Sequence, residues 1–78
     1  MAKASLAQVI GRALGVPPES IADDSSPDTL HRWDSLNHLD LMNEIEDAFD
    51  IRFTTAEIMQ AVTVGEIRRL LREKGALE

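Results

Sequence analysis

The sequence of 78 residues contains no cysteine. Disulfide bonds and thiolate metal sites are therefore excluded, and a reducing, cytoplasmic setting is expected. The two histidines, His31 and His38, are too few to form a metal centre unless carboxylates assist them. A chain of this length buries only a limited core, so we expect one small domain over residues 1–78.

Long apolar runs are also missing. Gln8, Gly11 and Arg12 interrupt the amino-terminal stretch MAKASLAQVIGRALG. A signal peptide needs an unbroken apolar segment, and a membrane-spanning helix needs about 20 apolar residues. We therefore expect neither of them, and we expect a soluble protein.

Positive charge is scarce, with 8 basic residues against 14 acidic ones and a net charge of −6. Proteins that bind duplex nucleic acid neutralise phosphates with basic side chains, so nucleic acid is a poor candidate ligand. A helix-turn-helix reader would likewise need a basic recognition helix. An acidic surface suits a basic protein partner, although solubility alone would also explain the charge.

Apolar residues recur with helical spacing near the amino terminus, at Leu6, Val9, Ile10, Ala13 and Leu14. This spacing places one apolar stripe along a helix of about three turns. Gly15 and the two prolines that follow should end the helix.

The segment from residue 15 to residue 34, GVPPESIADDSSPDTLHRWD, holds all three prolines of the chain. Prolines, serines and aspartates at this density prevent a long helix. A connection of this length is unusual in a small domain and is typically either disordered or functional. Because Ile21, Leu30 and Trp33 can attach it to the core, we expect an ordered loop.

A second helix is predicted from about Ser35 to Phe49. On a helical wheel, one side of this helix carries the expected core stripe of Leu41, Met42, Ile45, Ala48 and Phe49. The opposite side carries Leu36 and an acidic stripe of Asp40, Asn43, Glu44, Asp47 and Asp50. No lysine or arginine occurs between residues 33 and 51, and the like charges of Asp40 and Glu44 at i, i+4 should cost a few tenths of a kcal/mol. An exposed leucine beside uncompensated acidic residues indicates a docking surface.

Two capping boxes predict two further helix starts. The capping-box spacing occurs at Thr54 with Glu57 and at Thr63 with Glu66. In each box the threonine hydroxyl accepts from the glutamate amide, and the glutamate carboxylate accepts from the threonine amide. The first pair should begin a short helix and the second a closing helix that ends near Gly75. The predicted fold is therefore all-α: a small four-helix bundle with three longer helices, one short helix and a long loop between helices 1 and 2.

Ser35 stands where the long loop becomes the second helix, and three interpretations compete. A catalytic serine needs an aligned base, and His38 falls near the core side of the wheel, so hydrolysis is a poor interpretation. A capping role suits both Asp34 and Ser35. Attachment of a phosphate diester also suits the position, because a helix amino terminus favours negative charge. Only the third interpretation also accounts for the loop, Leu36 and the acidic stripe.

Residues 34–53, DSLNHLDLMNEIEDAFDIRF, resemble the signature of acyl carrier proteins, in which Asp-Ser-Leu opens an acidic amphipathic recognition helix. The resemblance extends over essentially the whole chain, because the length, first helix, long loop, short third helix and closing helix all agree. The tripeptide alone recurs by accident, whereas the tripeptide in this context is specific.

The resemblance implies that Ser35 receives 4′-phosphopantetheine from coenzyme A through a phosphopantetheinyl transferase. The thiol of that arm would carry an acyl chain as a thioester, and Asp34 matches the aspartate that supports the modification. Partner enzymes with basic patches would contact Leu36, Asp40, Glu46 and Asp47, and Glu44 joins this set through its place on the acidic stripe. Positions that line the core and the acyl pocket are matched by Leu41, Ile45, Phe49, Phe53, Ile58 and Val64. The resemblance further implies a non-enzymatic monomer.

The sequence departs from the family pattern at two positions. Arg32 stands where the family usually has glycine, and Asn43 stands where an exposed apolar residue is frequent. These departures weaken an assignment to housekeeping fatty-acid synthesis and leave polyketide and other specialised acyl-transfer pathways open. A peptidyl or aminoacyl carrier, or an unmodified acidic adaptor, are the alternatives.

Overall fold

A computed structural model describes residues 5–76 of the chain. Within this range the protein is all-helical, as the sequence predicts, and contains no β-strand. The four helices are α1 (Leu6–Leu14), α2 (Ser35–Phe49), α3 (Thr55–Gln60) and α4 (Val64–Glu73), and a 3₁₀ helix spans Pro18–Ser20. Three longer helices and one short helix agree with the predicted bundle. The expectation of one domain over residues 1–78 extends beyond the described range and stays a prediction.

Helix α1 begins and ends at strong local signals. The Ser5 hydroxyl accepts a hydrogen bond from the Gln8 amide at 3.1 Å, and the Gln8 side chain accepts one from the Ser5 amide at 2.9 Å. This capping box satisfies two amides that a helix otherwise leaves unpaired. At the other end Gly15 adopts a left-handed conformation with φ of 71° and donates to the Gly11 carbonyl, so the predicted stop at Gly15 is confirmed.

The long loop is part of the packed structure. Trp33 is fully buried, and Ile21 and Leu30 pack against the core. The loop also contacts α4, because the carbonyls of Asp23 and Ser25 accept hydrogen bonds from the amides of the first two α4 residues at 2.8 and 3.0 Å. The free amino-terminal amides of α4 are thereby satisfied by the loop backbone.

The core lies where α1, α2 and α4 meet. Its buried apolar residues are Leu6, Val9, Ile10, Leu14, Trp33, Leu41, Met42, Ile45, Phe49, Phe53, Ala61, Val64, Ile67, Leu70 and Leu71. The predicted α2 stripe is confirmed except at Ala48, which is exposed. That prediction was wrong because Ala48 lies at the edge of the stripe, where a methyl group is too short to reach the neighbouring helices.

The two predicted capping boxes differ in the structure. Thr54 and Glu57 form the complete reciprocal pair at the start of α3. Thr63 caps α4 by accepting from the Glu66 amide at 3.1 Å. The Glu66 carboxylate binds the Arg69 guanidinium at 2.8 Å, so the second box is only half formed.

Candidate functional site

The amino terminus of α2 is capped by Asp34. Its Oδ1 accepts a hydrogen bond from the Asn37 amide at 2.8 Å, and the Asn37 side chain donates to the Arg32 carbonyl at 2.8 Å. Because Asp34 takes the capping role, the hydroxyl of the next residue is not needed for it. Ser35 is the first residue of α2 and is exposed to solvent.

The acidic stripe of α2 is exposed along its length. Its members Asp40, Asn43, Glu44, Asp47 and Asp50 are all exposed, and Leu36 at its amino-terminal end has 82% of its surface exposed. One cation from another element lies nearby, because Arg12 of α1 lines a shallow depression of about 340 Å³ with Asp40 and Glu44. The sequence did not indicate this neighbour, since α1 and α2 meet only in the folded chain.

Glu46 differs from the other acidic residues of α2. It is half-buried, and its Oε2 accepts a hydrogen bond from the Phe53 amide at 2.7 Å. The carboxylate therefore connects the last turns of α2 to the segment before α3. Its predicted place on the partner surface stays a prediction, whereas its structural contact is present without a partner.

An apolar groove of about 410 Å³ lies between α2 and α3, and Ser35 is one of its lining residues. It is lined by Pro27, Asp34, Ser35, His38, Leu39, Ile58, Met59, Ala61 and Val62. Three of these apolar side chains face solvent: Leu39 is 57% exposed, Met59 73% and Val62 53%. Exposed apolar side chains gathered at one place indicate a binding surface rather than random scatter.

The groove only partly coincides with the predicted acyl pocket. Of the six predicted residues, Ile58 lines the groove, and the other five, Leu41, Ile45, Phe49, Phe53 and Val64, are buried in the core. Leu39, Met59 and Val62 were missed. The available signal was their apolar character at positions off the core stripes, but their meeting at one place depends on how α3 packs.

His38 bridges the loop before α2 to the end of α3. The Trp33 indole N–H donates to His38 Nδ1 at 2.8 Å, and His38 Nε2 lies 2.7 Å from the Ile58 carbonyl oxygen. The two rings are stacked with centroids 6.0 Å apart and planes 21° apart. With both ring nitrogens occupied, His38 does not serve Ser35 as a base in this arrangement.

At its other end α3 is connected to α4. The Glu57 carboxylate oxygen Oε1 lies 2.8 Å from Lys74 Nζ and also accepts from the Thr54 amide at 2.8 Å. Lys74 lies over the Phe53 ring, 5.6 Å from its centroid. The hydrogen bond from Lys74, and then that from the Thr54 amide, lower the pKa of Glu57 below its usual value.

The sequence matches the protein family described as "Phosphopantetheine attachment site" over residues 4–71. The chain belongs to this family. The cofactor of the family, and of this carrier, is 4′-phosphopantetheine attached covalently to a serine. Among curated proteins none shows a significant match to the chain.

The carrier domain has residues that suit this cofactor. Ser35 offers an exposed hydroxyl at the amino terminus of a helix of 15 residues, where unpaired amides and the helix dipole favour a phosphate group. The same residue also lines the apolar groove. Domains of this family are typically non-catalytic carriers that act with partner enzymes. Among residues 5–76, none of the helices has both the length and the apolar character required to cross a membrane.

Proposed function

We propose that the protein is an acyl carrier protein whose 4′-phosphopantetheine arm is attached to Ser35. The proposal is supported by the geometry at the start of α2. Asp34 caps the helix by accepting a hydrogen bond from the Asn37 amide, and the next residue, Ser35, is exposed. This arrangement leaves the Ser35 oxygen accessible to a transferase without disturbing the helix.

Attachment would form one bond and break one bond. The Ser35 oxygen forms a phosphodiester bond to the pantetheine phosphate of coenzyme A, the pyrophosphate P–O bond breaks, and the adenosine bisphosphate half leaves. The hydroxyl proton passes to a base of the phosphopantetheinyl transferase. The Ser35 and Leu36 amides at the start of α2 would then stabilise the phosphate charge, because they have no partner within the helix, whereas the Asn37 amide is bound by Asp34.

The groove favours an acyl cargo over an aminoacyl or peptidyl cargo. When bound, the arm supplies a terminal thiol that holds the cargo as a thioester. Leu39, Met59 and Val62 give the groove apolar walls. Among its polar side chains, both His38 nitrogens already have hydrogen-bond partners, and Asp34, which uses one carboxylate oxygen to cap α2, directly precedes Ser35 in the chain. A charged amine placed among Leu39, Met59 and Val62 would lose its hydration without gaining a partner.

Leu36 and the acidic residues Asp40, Glu44 and Asp47 are proposed to dock partner enzymes that carry basic patches. An apolar side chain that is 82% exposed offers a small anchor. Surface carboxylates add long-range attraction that raises the rate of encounter and weakens with salt. Such contacts suit a carrier that must leave each partner quickly. Rapid release from each partner enzyme is needed in fatty-acid, polyketide and specialised acyl-transfer pathways alike.

The proposal includes a cytoplasmic location and a monomeric state. Coenzyme A and its transferase are available in that compartment, and its reducing conditions keep the arm thiol free.

The proposal is tested by substituting Ser35→Ala. Incubation with a phosphopantetheinyl transferase and coenzyme A should add the mass of one phosphopantetheine to the wild type and none to the variant, as measured by intact-protein mass spectrometry. The matched control is Ser20→Ala, which removes another exposed serine hydroxyl and should be modified like the wild type.

Two results would contradict the proposal. A full mass gain in the Ser35→Ala variant would place the attachment on another residue. An unmodified wild type, with a transferase that is active on a control carrier, would favour the acidic adaptor instead.

A further inference from the structure

Helix α3 forms one wall of the groove although it is held by few contacts. It has six residues, and none of them is fully buried. Ile58 packs only partly against the core, whereas Ala61, which follows the helix, is fully buried. An element with so little buried apolar surface opens more easily than the core helices around it.

Polar contacts therefore decide how α3 is held at each end. The Glu57–Lys74 pair connects its first turn to α4. Its last turn, next to the groove, is connected to α2 by the 2.7 Å contact between His38 Nε2 and the Ile58 carbonyl. Within the helix the Ile58 carbonyl accepts only a long hydrogen bond, from the Ala61 amide at 3.4 Å, so the shorter contact with His38 is the one that fixes its position.

The chemistry of Trp33 determines the proton position on His38. An indole N–H can only donate, so His38 Nδ1 must be the acceptor of the 2.8 Å hydrogen bond. Nε2 then carries the single ring proton and donates it to the Ile58 carbonyl. Trp33 is fully buried, which gives this chain of two hydrogen bonds a rigid starting point.

We propose that His38 is a positioning residue that holds α3 against α2 and thereby sets how tightly the groove closes over the acyl group attached at Ser35. The inference rests on the proposed function and adds the residue that controls shielding of the cargo. Ile58 and Met59 lie on α3 and Val62 follows it, so these three side chains move with the Ile58 carbonyl. Leu39 on α2 remains in place as the opposite wall.

Two substitutions separate the two hydrogen bonds of His38. His38→Gln keeps an N–H donor near the position of Nε2, so it can still bind the Ile58 carbonyl. His38→Asn keeps an acceptor near the position of Nδ1, so it can still bind the Trp33 indole. Each variant retains one hydrogen bond and loses the other, and the two should lose similar thermal stability. Only His38→Asn releases α3.

The experiment measures shielding of a hexanoyl thioester. Wild type, His38→Gln and His38→Asn are loaded by a phosphopantetheinyl transferase with hexanoyl-coenzyme A, and complete loading is verified by intact mass. Hydroxylamine then cleaves the thioester, and the rate is followed by mass spectrometry with free hexanoyl-coenzyme A as the unshielded reference. We expect slow cleavage in the wild type and in His38→Gln, and severalfold faster cleavage in His38→Asn.

The outcomes distinguish this inference from the proposed function. If the wild type is not loaded, the proposed function fails. If all three proteins are loaded but are cleaved at equal rates, or if cleavage follows the loss of thermal stability in both variants alike, the positioning role of His38 is refuted. Cleavage of the wild type as fast as hexanoyl-coenzyme A would refute it as well.

A measurement on the wild type keeps the inference testable if a variant does not fold. Trp33 is the only tryptophan of the chain, and its ring stacks on His38, which lines the groove. Loading with a hexanoyl group should change the Trp33 emission relative to loading with an acetyl group, which is too short to reach far into the groove. Identical emission spectra for the two loaded forms would count against contact between the cargo and the bridge.

Discussion

At the scale of single residues, the close approach of two chain segments depends on Gly11. A Cβ atom built at this position would lie 2.7 Å from the Val16 carbonyl oxygen and 3.3 Å from the Pro18 nitrogen. Both are backbone atoms, which cannot rotate away as a side chain would. The chain leaving α1 therefore folds back over Gly11 only because this residue has no side chain.

Replacing Gly11 by alanine should destabilise the protein. In an open helix the change would stabilise by about 1 kcal/mol through helix propensity. Here overpacking against the backbone should reverse the sign and cost about 1–3 kcal/mol. Urea unfolding followed by circular dichroism measures the difference, and Arg12→Ala at the next, exposed position should change stability by no more than about 0.5 kcal/mol. A Gly11→Ala variant more stable than the wild type would contradict the close packing.

The role of individual residues was predictable where it depends on neighbours along the chain. Asp34 and Ser35 were both candidate caps, and the structure assigns the cap to Asp34. Leu36 was expected to be exposed, and it is. The Trp33–His38–Ile58 bridge was not predicted, because residues 33, 38 and 58 have no shared periodicity and meet only after α3 has docked. Contacts of this kind follow from tertiary packing.

At the scale of elements, α3 depends on the charge of Glu57. The Lys74 hydrogen bond lowers the Glu57 pKa. The folded state therefore favours the charged form of this carboxyl group more than the unfolded state does. The resulting stabilisation is present above the ordinary pKa of a glutamate and is lost as the pH falls through the lowered value.

The Glu57→Gln substitution isolates this contact, because glutamine can still complete the capping box with Thr54. The variant should melt at a lower temperature than the wild type at neutral pH, and the difference should shrink as the medium becomes acidic. Thermal unfolding across this pH range measures it. The control is Glu73→Gln, which removes the more exposed partner of Arg69 and should have little effect. A difference that stays constant into acid would exclude the charge of Glu57 as its cause.

Helix boundaries were predictable because they depend on residues close together in the sequence. Capping residues mark the starts of α3 and α4, and Gly15 marks the end of α1. The groove was not predictable to the same degree. A helix of six residues has too few positions to show which face it buries, so the side chains that α3 presents to α2 could not be identified from the sequence.

At the scale of the whole molecule, the net charge of −6 is unevenly distributed. The exposed side of α2 carries carboxylates, while three cations in or just after α4 are paired within the fold: Arg68 with Asp23, Arg69 with two glutamates and Lys74 with Glu57. None of these three cations pairs with a carboxylate of α2, so the exposed acidic side of that helix can attract the basic partner proposed above.

Reversing two charges on α2 should slow the recognition of the protein by its transferase. The double substitution Asp40→Lys and Asp47→Lys is expected to lower kcat/KM for phosphopantetheine transfer by about tenfold at low salt, at the small end of electrostatic steering effects. The effect should shrink as ionic strength rises, because the screening length falls to about 10 Å at 0.1 M salt.

The matched control makes the same change of net charge away from α2. Glu19 and Asp28 are exposed acidic residues outside that helix, and their substitution by lysine should leave kcat/KM close to the wild-type value. Equal losses in both double variants would mean that total charge matters and that the α2 surface has no special role.

The backbone contacts between the loop and α4 have a consequence for engineering this protein. The Asp23 and Ser25 carbonyls accept hydrogen bonds from the first two amides of α4. Residues 23–25 therefore hold the start of a helix that lies about forty positions further along the chain. Splicing a tag or a reporter into these residues would fray the carboxyl-terminal quarter of the domain. The same insertion at Asp28, on the exposed part of the loop, should be tolerated.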